Sequence, residues 1–419
     1  MSRIKRKLSA LLVALAACTG EPDNGPLEFS GAAMGTSWSV KLAEFPPEIE
    51  PAVLETELAL ILRAVDEQMS TYRADSELSR FNASRSIDWF PVSADTAAVV
   101  VAALEIAQRT DGAFDVTVGP LVNLWGFGPG PWAGVPTDEE LRTARASTGY
   151  TRLEVRTSPP ALRMSSAARG VDLSGIAKGF TVDALAEHLE ARGVANYLVE
   201  LGGELRATGH NSKEEPWRIG IERPVAGDRI LQRVLALQNR AVATSGDYRN
   251  ARTVGEESLP HVLDPRSGRP VRTGIGSATV VCPTAMEADA LATALMVLGP
   301  VEGIRFAERE GLAAQLVVRE RGELVTRSTA AFEELVVDAR GAAPLALFAL
   351  VLVVMLLAVA GLAAGLLLRG RPLSAGCRRE LGTATPDSRC WTCRRPNTVH
   401  HRADATRGSR HLEHQTKEG

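Results

Sequence analysis

The sequence predicts an α+β fold for the central part of the chain, from Glu28 to about Arg340. Amphipathic helical segments and short apolar strand segments both occur, but they do not alternate in the regular strand–helix–strand order of a parallel sheet. The composition of this part is globular, the whole chain has 45% hydrophobic and 23% charged residues, and no internal repeat is visible. A segment of roughly 310 residues is long enough for one large domain or two fused lobes.

Five helices are expected in this part, and the fifth contains Met286–Leu295. The first is marked by apolar residues at helical spacing, which are Leu54, Leu58, Ile61, Leu62 and Val65. The second covers Ala94–Arg109, and a capping box, Thr137-Asp138-Glu139-Glu140, opens the third. The fourth follows a turn at Gly175 and ends at Gly193. The strand candidates are Trp38–Leu42, Val194–Leu201, Leu231–Leu237, Ser277–Cys282 and Ala313–Arg319.

The N-terminus has the layout of an export signal. Basic residues up to Lys7 precede an apolar run from Leu8 to Ala17. The end of this run, Leu15-Ala16-Ala17-Cys18, resembles a bacterial lipoprotein cleavage box, so residues 1–18 are expected to be a lipoprotein-type signal peptide and Cys18 to carry a lipid anchor. The alternatives are an ordinary signal peptide or an uncleaved anchor. Residues 19–27 are then a short tether.

A second membrane element is expected near the C-terminus. Gly341–Leu368 contains 28 residues without a charge, and a transmembrane helix is predicted at 345–368 because about 20 such residues span a bilayer. Arginines follow this helix at once, which predicts that the tail, 369–419, faces the cytoplasm. The chain is therefore expected in a bacterial inner membrane, with its central domain in the periplasm.

The tail and the rest of the chain differ in charge. Residues 369–419 carry 11 Lys and Arg against 5 Asp and Glu, a net charge of +6, and their only aromatic residue is Trp391. We expect them to be mostly disordered. The remainder carries 36 basic and 45 acidic residues, a net charge of −9, which argues against nucleic-acid binding by the globular part.

The segment from Val171 to Gly179 is the first candidate site. An apolar run carrying Asp172 leads into a small-residue turn that opens the fourth helix, and Lys178 lies in its first turn. Backbone amides at a helix N-terminus suit a phosphate, and Asp172 is an acceptor for a ribose, a ring nitrogen or a metal. The spacing is neither a Walker A loop nor a Rossmann fingerprint. A structural turn with a surface lysine is the alternative.

Asp289 and Thr293 form the second candidate. Their i, i+4 spacing places a carboxylate and a hydroxyl on one face of a helix that is otherwise rich in Ala and Leu. Hard oxygen ligands of this kind suit Mg²⁺. A solvated helix face is the alternative.

Three polar loops complete the set. His261 opens the loop that runs to Gly268, and a histidine there can accept a proton from a hydroxyl near neutral pH; a histidine bonded to backbone is the alternative. Tyr72 and Phe114 lie in two further loops and are possible stacking surfaces for a flat heterocycle, although each alone is more often a packing residue.

Taken in order, these motifs resemble the ApbE family of periplasmic FAD:protein FMN transferases. The resemblance covers about Glu28 to Arg327. The motifs that carry it are Met34-Gly35-Thr36, Met69-Ser70-Thr71-Tyr72, Asp111-Gly112-Ala113-Phe114-Asp115, Asp172 to Gly179, Leu201-Gly202-Gly203, His261 to Gly268, and Glu287-Ala288-Asp289 to Thr293.

The resemblance implies an α+β flavin transferase that cleaves FAD at its pyrophosphate, moves FMN to a Ser or Thr hydroxyl of an acceptor protein and releases AMP, with Mg²⁺ required. It implies that the metal is held by the Gly175 carbonyl, Asp289 and Thr293, and that His261 is the base or orients the phosphate. The residues that it places against FAD are Met34, Tyr72, Ala113, Phe114, Asp115, Asp172, Lys178 and Val262.

The C-terminal extension resembles a second family. The apolar run to Leu368, the arginines after it, and Cys377, Cys390 and Cys393 look like NqrM, a small membrane protein that assists maturation of the Na⁺-translocating NADH:quinone oxidoreductase. That pattern has a fourth cysteine, which is absent here. Three thiols in a reducing compartment fit iron or zinc better than disulfides, the alternative being unremarkable cysteines in a disordered tail.

The leading functional hypothesis is thus a membrane-tethered flavin transferase whose partner is a flavoprotein subunit of a membrane redox complex. A flavin carrier that holds FAD without cleaving it, and an assembly factor with a decayed enzyme domain, are the alternatives. The presence of His261, Asp289 and Thr293 favours the enzyme.

Overall fold

The computed structural model describes residues 26–165, 170–225, 230–247, 251–254, 257–338 and 352–360. The predicted signal peptide, all but the last two residues of the tether, and the tail with Cys377, Cys390 and Cys393 lie outside these ranges. Of the predicted transmembrane helix, only 352–360 is described, and this part is helical with exposed side chains. The chain divides into two units, Met1–Pro344 and Leu345–Gly419.

The centre of the first unit is an eight-stranded antiparallel sheet. All seven pairings between neighbouring strands are antiparallel, and three of the seven pairs are direct hairpins. In order across the sheet, the strands are β1 (Leu27–Ala33), β2 (Thr36–Leu42), β6 (Tyr197–Leu201), β7 (Glu204–Thr208), β10 (Arg240–Gly246), β15 (Ile275–Cys282), β16 (Ala313–Glu320) and β17 (Glu323–Ser328).

Smaller sheets and hairpins surround it. β8 (Trp217–Glu222), β9 (Leu231–Leu237) and β18 (Val336–Val337) form one three-stranded sheet, and β3 (Phe90–Pro91), β4 (Leu153–Thr157) and β5 (Pro160–Met164) form another. The two hairpins are β11 (Ala251–Val254) with β12 (Glu257–Pro260), and β13 (Leu263–Asp264) with β14 (Arg269–Pro270).

Eight α-helices accompany the sheets in the described ranges up to Asp338. They are α1 (Pro51–Met69), α2 (Glu77–Ala83), α3 (Ala94–Arg109), α4 (Gly119–Leu124), α5 (Asp138–Ala146), α6 (Ala177–Ala191), α7 (Ala285–Arg309) and α8 (Ala330–Glu333). Together with the antiparallel sheets they confirm the predicted α+β class.

The main sheet is covered on both faces. Ala278 and Val280 of β15 pack with the Ala- and Leu-rich face of α7, whereas Val281 belongs to the cluster that contains the three-stranded sheet of β8, β9 and β18. Successive side chains of a strand point to opposite faces, so all eight residues of β15 are buried.

Helix α7 is the core helix of this domain. Among the described residues it alone has the length and apolar composition to cross a membrane, but 61% of its most apolar stretch is buried in the protein. It is also interrupted at Gly299, where φ is +83°, directly before Pro300.

Helix α6 lies between α7 and α1. Leu185 and Leu189 of α6 pack in a cluster with Leu54, Leu58 and Leu62 of α1. Helix α6 stops where the sequence predicts, because Gly193 has φ of +80° just beyond its last turn. The packing of α6 against α7 brings the first turns of both helices together, and the candidate site lies there.

Candidate active site

An ion cluster lies where the first turns of α6 and α7 meet. The ammonium Nζ of Lys178 is 2.9 Å from Oε1 of Glu204 and 3.4 Å from Oδ2 of Asp289. The backbone amide of Gly179 donates to the same Asp289 oxygen at 3.1 Å. The sequence predicted a phosphate site at the N-terminus of α6. At the amide of Gly179, the Asp289 carboxylate already accepts the hydrogen bond that a phosphate would accept.

The cluster has an excess of negative charge. Two carboxylates, on side chains that are each 4% exposed or less, face one ammonium, and Oε2 of Glu204 is buried without a hydrogen-bond partner. Burial raises the pKa of the Glu204 carboxyl, against the opposing attraction of Lys178. Burial alone would lower the pKa of Lys178, but the charges of Asp289 and Glu204 outweigh it and raise that pKa.

Thr293 lies one turn after Asp289 on α7, beside the turn that precedes α6. A Cβ on Gly175 would lie 3.4 Å from Oγ1 of Thr293 and 3.3 Å from the ring of Phe114. Oγ1 of Thr293 also lies 3.1 Å from the hydroxyl of Ser245 at the end of β10. The three residues predicted to hold a metal thus meet across α7 and the turn before α6.

The donors fit a divalent cation. A buried carboxylate, a hydroxyl and a backbone carbonyl are the hard oxygen ligands that Mg²⁺ takes, usually together with water and substrate phosphate. When both carboxylates are ionised, the cluster of Lys178, Glu204 and Asp289 has a net charge of −1 and one unpaired carboxylate oxygen, which favours one more positive charge at this place. In the described part of the chain no three His, Cys, Asp or Glu side chains form a metal-binding group, so any such site depends on Thr293, the Gly175 carbonyl and non-protein ligands.

Tyr72 and Asp172 lie near one another in the next part of the site. The negative charge of Asp172 adds to burial in raising the pKa of the Tyr72 phenol. Tyr72 is 67% exposed, so its ring is accessible to a ligand. Asp172 accepts from the amide (2.9 Å) and hydroxyl (2.5 Å) of Ser174, and it lines a cavity of about 150 Å³ with Thr71.

The loop from Ala113 to Asp115 packs inward. Ala113 and Phe114 are 1% and 4% exposed, so the faces of the Phe114 ring are covered and the expected stacking surface is not available there. Asp115 accepts hydrogen bonds from the amides of Thr117 and Tyr150, both at 2.8 Å. Burial raises the pKa of its carboxyl, and these bonds oppose the shift. The side chain of Asp115 therefore fixes the loop.

His261 is half-buried beside an aromatic loop that the sequence did not reveal. Its ring meets the ring of Phe127 edge to face, with centroids 6.5 Å apart, and the carbonyl of Phe127 accepts from the Tyr72 hydroxyl at 2.9 Å. The guanidinium of Arg252 lies 5.8 Å from the Phe127 centroid. His261 and Tyr72 are thus linked through Phe127. Val262, next to His261, is 7% exposed and packs in the core.

Met34 contacts helix α6 from the turn of the first hairpin. It occupies the turn between β1 and β2 with φ of +50°, and its sulfur accepts from the Thr181 hydroxyl of α6 at 3.4 Å. The residues that the sequence missed are Glu204, Phe127 and Arg252. Glu204 follows the Leu201-Gly202-Gly203 motif and so had a local signal, but Phe127 and Arg252 reach the site only through the tertiary fold.

Known proteins resemble this chain closely in sequence. The family model described as "ApbE family" matches residues 34–316. The FAD:protein FMN transferase of Vibrio cholerae is 43% identical over 311 residues, which are 74% of this chain and 92% of the relative. That of Haemophilus influenzae is 41% identical over 332 residues, covering 78% of this chain and 95% of the relative.

Solved structures agree with the sequence matches. The flavin transferase ApbE from Vibrio cholerae has a TM-score of 0.68 at 42% identity, over 74% of this chain and 99% of that one. The apo form of the Pseudomonas stutzeri flavinyl transferase ApbE has a TM-score of 0.68 at 41% identity, over 74% and 96%. From its sequence and its fold, the chain belongs to the ApbE family of flavin transferases.

Proposed function

We propose that this enzyme transfers FMN from FAD to a Ser or Thr hydroxyl of an acceptor protein, releases AMP and depends on Mg²⁺. The single observation that carries the proposal is the buried, net-negative cluster of Lys178, Glu204 and Asp289 next to Thr293 and Gly175. The activity named for relatives at 38–43% identity supports the flavin chemistry.

The reaction balances as a phosphoryl transfer. The acceptor hydroxyl oxygen forms a bond to the phosphorus of the FMN half of FAD, and the bond from that phosphorus to the bridging oxygen breaks, so that oxygen leaves on AMP. The hydroxyl proton goes to His261, whose ring is half-buried beside Phe127. A histidine accepts a proton near neutral pH, which suits this role.

Asp289, Thr293 and the carbonyl of Gly175 would hold Mg²⁺. When bound, the ion neutralises charge on the pyrophosphate oxygens and on the leaving AMP. Asp289 has a fixed orientation for this task because the amide of Gly179 holds one of its oxygens at 3.1 Å. Lys178 adds a cation beside the same carboxylate.

The residues that would contact the flavin lie around the cluster of Lys178, Glu204 and Asp289. The exposed ring of Tyr72 offers a face on which an isoalloxazine can stack, and its hydroxyl is fixed by the Phe127 carbonyl. Met34, Asp172 and Lys178 present side chains at the site, whereas Ala113, Phe114, Asp115 and Val262 are buried and would contact FAD through backbone or ring edges.

The acceptor and location belong to the same proposal. We propose a flavoprotein subunit of the Na⁺-translocating NADH:quinone oxidoreductase or a related redox complex as acceptor, and the support is the resemblance of the C-terminal sequence to NqrM. The domain would lie in the periplasm of a bacterium, anchored by Cys18 and by the helix 345–368, with the cytoplasmic tail holding iron at Cys377, Cys390 and Cys393.

The test uses the full chain in detergent with FAD, Mg²⁺ and a purified acceptor subunit. Intact-mass analysis should give the acceptor one added FMN moiety, and chromatography should give an equal amount of AMP. Omission of Mg²⁺ should abolish both. Bound FAD with neither FMN transfer nor AMP would instead identify a flavin carrier and overturn the proposal.

A further inference from the structure

Glu204 holds Lys178 more closely than Asp289 does. The Lys178 ammonium lies 2.9 Å from Glu204 but 3.4 and 3.5 Å from the two oxygens of Asp289. Charge-assisted N–H···O bonds are about 2.7–2.9 Å long, so only the Glu204 contact has the length of a full bond. Lys178 is thus drawn away from Asp289 by a second carboxylate.

The backbone fixes Glu204 at a position from which its side chain can hold the Lys178 ammonium. Glu204 is paired with Leu201 across the turn at Gly202 and Gly203, which have φ of +65° and +108°. A Cβ on Gly202 would lie 2.9 Å from Thr36, so this turn needs glycine for close packing as well. The Glu204 side chain is 4% exposed and the Asp289 side chain 3%, whereas that of Lys178 is 28% exposed and has a flexible stem. Lys178 is therefore the member of the cluster with the most freedom to move.

We infer that Glu204 is a positioning residue for the cation site: it holds the Lys178 ammonium and so keeps the Asp289 carboxylate available to a divalent cation. Without the charge of Glu204, Asp289 would be the one remaining carboxylate in the cluster. Lys178 would then pair with Asp289 fully and compete with the cation, since opposite charges attract strongly where water is excluded. The inference deepens the proposed function, on which its link to catalysis rests.

Divalent-cation affinity measures this role without flavin chemistry. Mn²⁺ is a suitable probe because its free concentration is read by electron paramagnetic resonance, and the full chain in detergent can be titrated in the absence of FAD. Glu204→Gln keeps the shape and removes the charge, and we expect it to bind Mn²⁺ about tenfold more weakly, in line with the effect of a neighbouring charge. Glu200→Gln is the matched control, because Glu200 lies on the same hairpin and accepts from the Gly203 amide at 2.9 Å. Its affinity should equal that of the wild type.

We expect the effect of Glu204→Gln on Mn²⁺ affinity to depend on Lys178. In a Lys178→Met background no ammonium competes for Asp289, so adding Glu204→Gln should weaken Mn²⁺ binding much less than it does in the wild type. Wild-type affinity in Glu204→Gln, or the same fold-change with and without Lys178, would overturn the inference. If Glu204→Gln does not fold, Glu204→Asp decides: weaker Mn²⁺ binding supports the inference, and unchanged binding contradicts it.

Turnover gives a second readout. The Mg²⁺ concentration that half-saturates AMP release should rise about tenfold in Glu204→Gln, and excess Mg²⁺ should restore most of the rate. A purely structural role would lower the rate at every Mg²⁺ concentration. Should the chain transfer no flavin at all, the Mn²⁺ titrations still decide the role of Glu204, so the two failures are distinguishable.

Discussion

The carboxylate of Asp183 on α6 accepts a hydrogen bond from the backbone amide of Met286, in the first turn of α7, at 2.8 Å. Its other oxygen accepts from the amide of Ala285 at 3.0 Å and pairs with Arg206 at 3.1 Å. The first amides of a helix have no partner within the helix. Asp183 supplies that partner from α6 and so fixes the starting turn of α7, from which Asp289 reaches Lys178.

We expect Asp183→Ala to lower the free energy of unfolding by about 1–3 kcal/mol, because buried amides and Arg206 lose their acceptor. Thermal or urea unfolding of the full chain in detergent measures this change. Asp138→Ala is the control, since Asp138 is an exposed partner of Arg269, and an exposed ion pair contributes about 0–1 kcal/mol. Equal effects of the two substitutions would show that Asp183 does not tie the helices together.

The sequence predicted the five longest helices of this domain, because their signals are local. Helix α3 has the predicted bounds, Ala94–Arg109. At α5 both halves of the capping box form, with Thr137 and Glu140 exchanging side-chain to backbone bonds. The buried side of α1 contains four of the five residues that marked it, all except Ile61.

The arrangement of the sheet and of the ion cluster was less predictable. Polar residues such as Ser277 and Thr279 are buried in β15 because both faces of the sheet are covered, which no pattern within β15 reveals. Glu204 lies 26 positions from Lys178, and the Gly202-Gly203 turn before it predicts a hairpin but not the contact of its side chain with Lys178. The proximity of Asp289, Thr293 and Gly175 was more predictable, because Asp289 and Thr293 share one helix face and the family motif includes Gly175. Their role as metal ligands stays a prediction.

Asp289→Asn should reduce FMN transfer by about 10²-fold or more, because a metal ligand normally matters at least as much as its supporting residues. The side chain keeps its volume and its bond from Gly179, so the fold should persist. Intact-mass analysis of the acceptor and AMP release give the rate. Glu287→Gln is the matched control on the same helix, where Glu287 pairs with Arg109 near the surface. Normal Mg²⁺-dependent AMP release by Asp289→Asn would refute the metal assignment.

His261→Ala should lower the rate of transfer by about 10²–10⁴, the range for loss of a general acid–base group. FAD affinity, followed by flavin fluorescence, should change little because other residues hold the flavin. His210→Ala serves as the control, since the ring of His210 contacts the carbonyl of Asn211 on a loop. Full rate in His261→Ala, with normal FAD binding, would mean that this histidine is structural.

Gly175→Ala should impair cation binding with little loss of stability. The added Cβ would lie 3.3 Å from the Phe114 ring and 3.4 Å from Oγ1 of Thr293, which is tight for both neighbours. We expect the carbonyl of residue 175 and the Thr293 hydroxyl to move apart, and Mn²⁺ affinity to fall severalfold. Gly130→Ala is the control, because a Cβ added to Gly130 meets open space. Gly311→Ala would be less suitable, because Gly311 has φ of +66°. Unchanged Mn²⁺ affinity in Gly175→Ala would argue against a ligand at this position.

The orientation of the chain in the membrane can be tested by thiol labelling, because Cys282 of the central domain is buried and should not react. Cys282 is 2% exposed, and burial raises the pKa of its thiol to about 12. Because the thiolate is the reactive form, a membrane-impermeant thiol reagent at pH 8 should leave Cys282 unmodified in the folded protein. A Cys18→Ser variant with an alternative signal peptide then reports on Cys377, Cys390 and Cys393 alone.

Cells whose outer membrane has been opened should show no labelled protein with this variant, and cells with both membranes opened should show labelling of the three tail cysteines. We expect this result because the sequence predicts that the arginines after Leu368 hold the tail in the cytoplasm and that the export signal sends the domain to the periplasm. A second variant, Ser86→Cys, should be labelled in the first sample because Ser86 is exposed, which shows that the reagent reaches the domain. Labelling of the tail cysteines while the inner membrane is intact would place the tail in the periplasm and refute the single crossing.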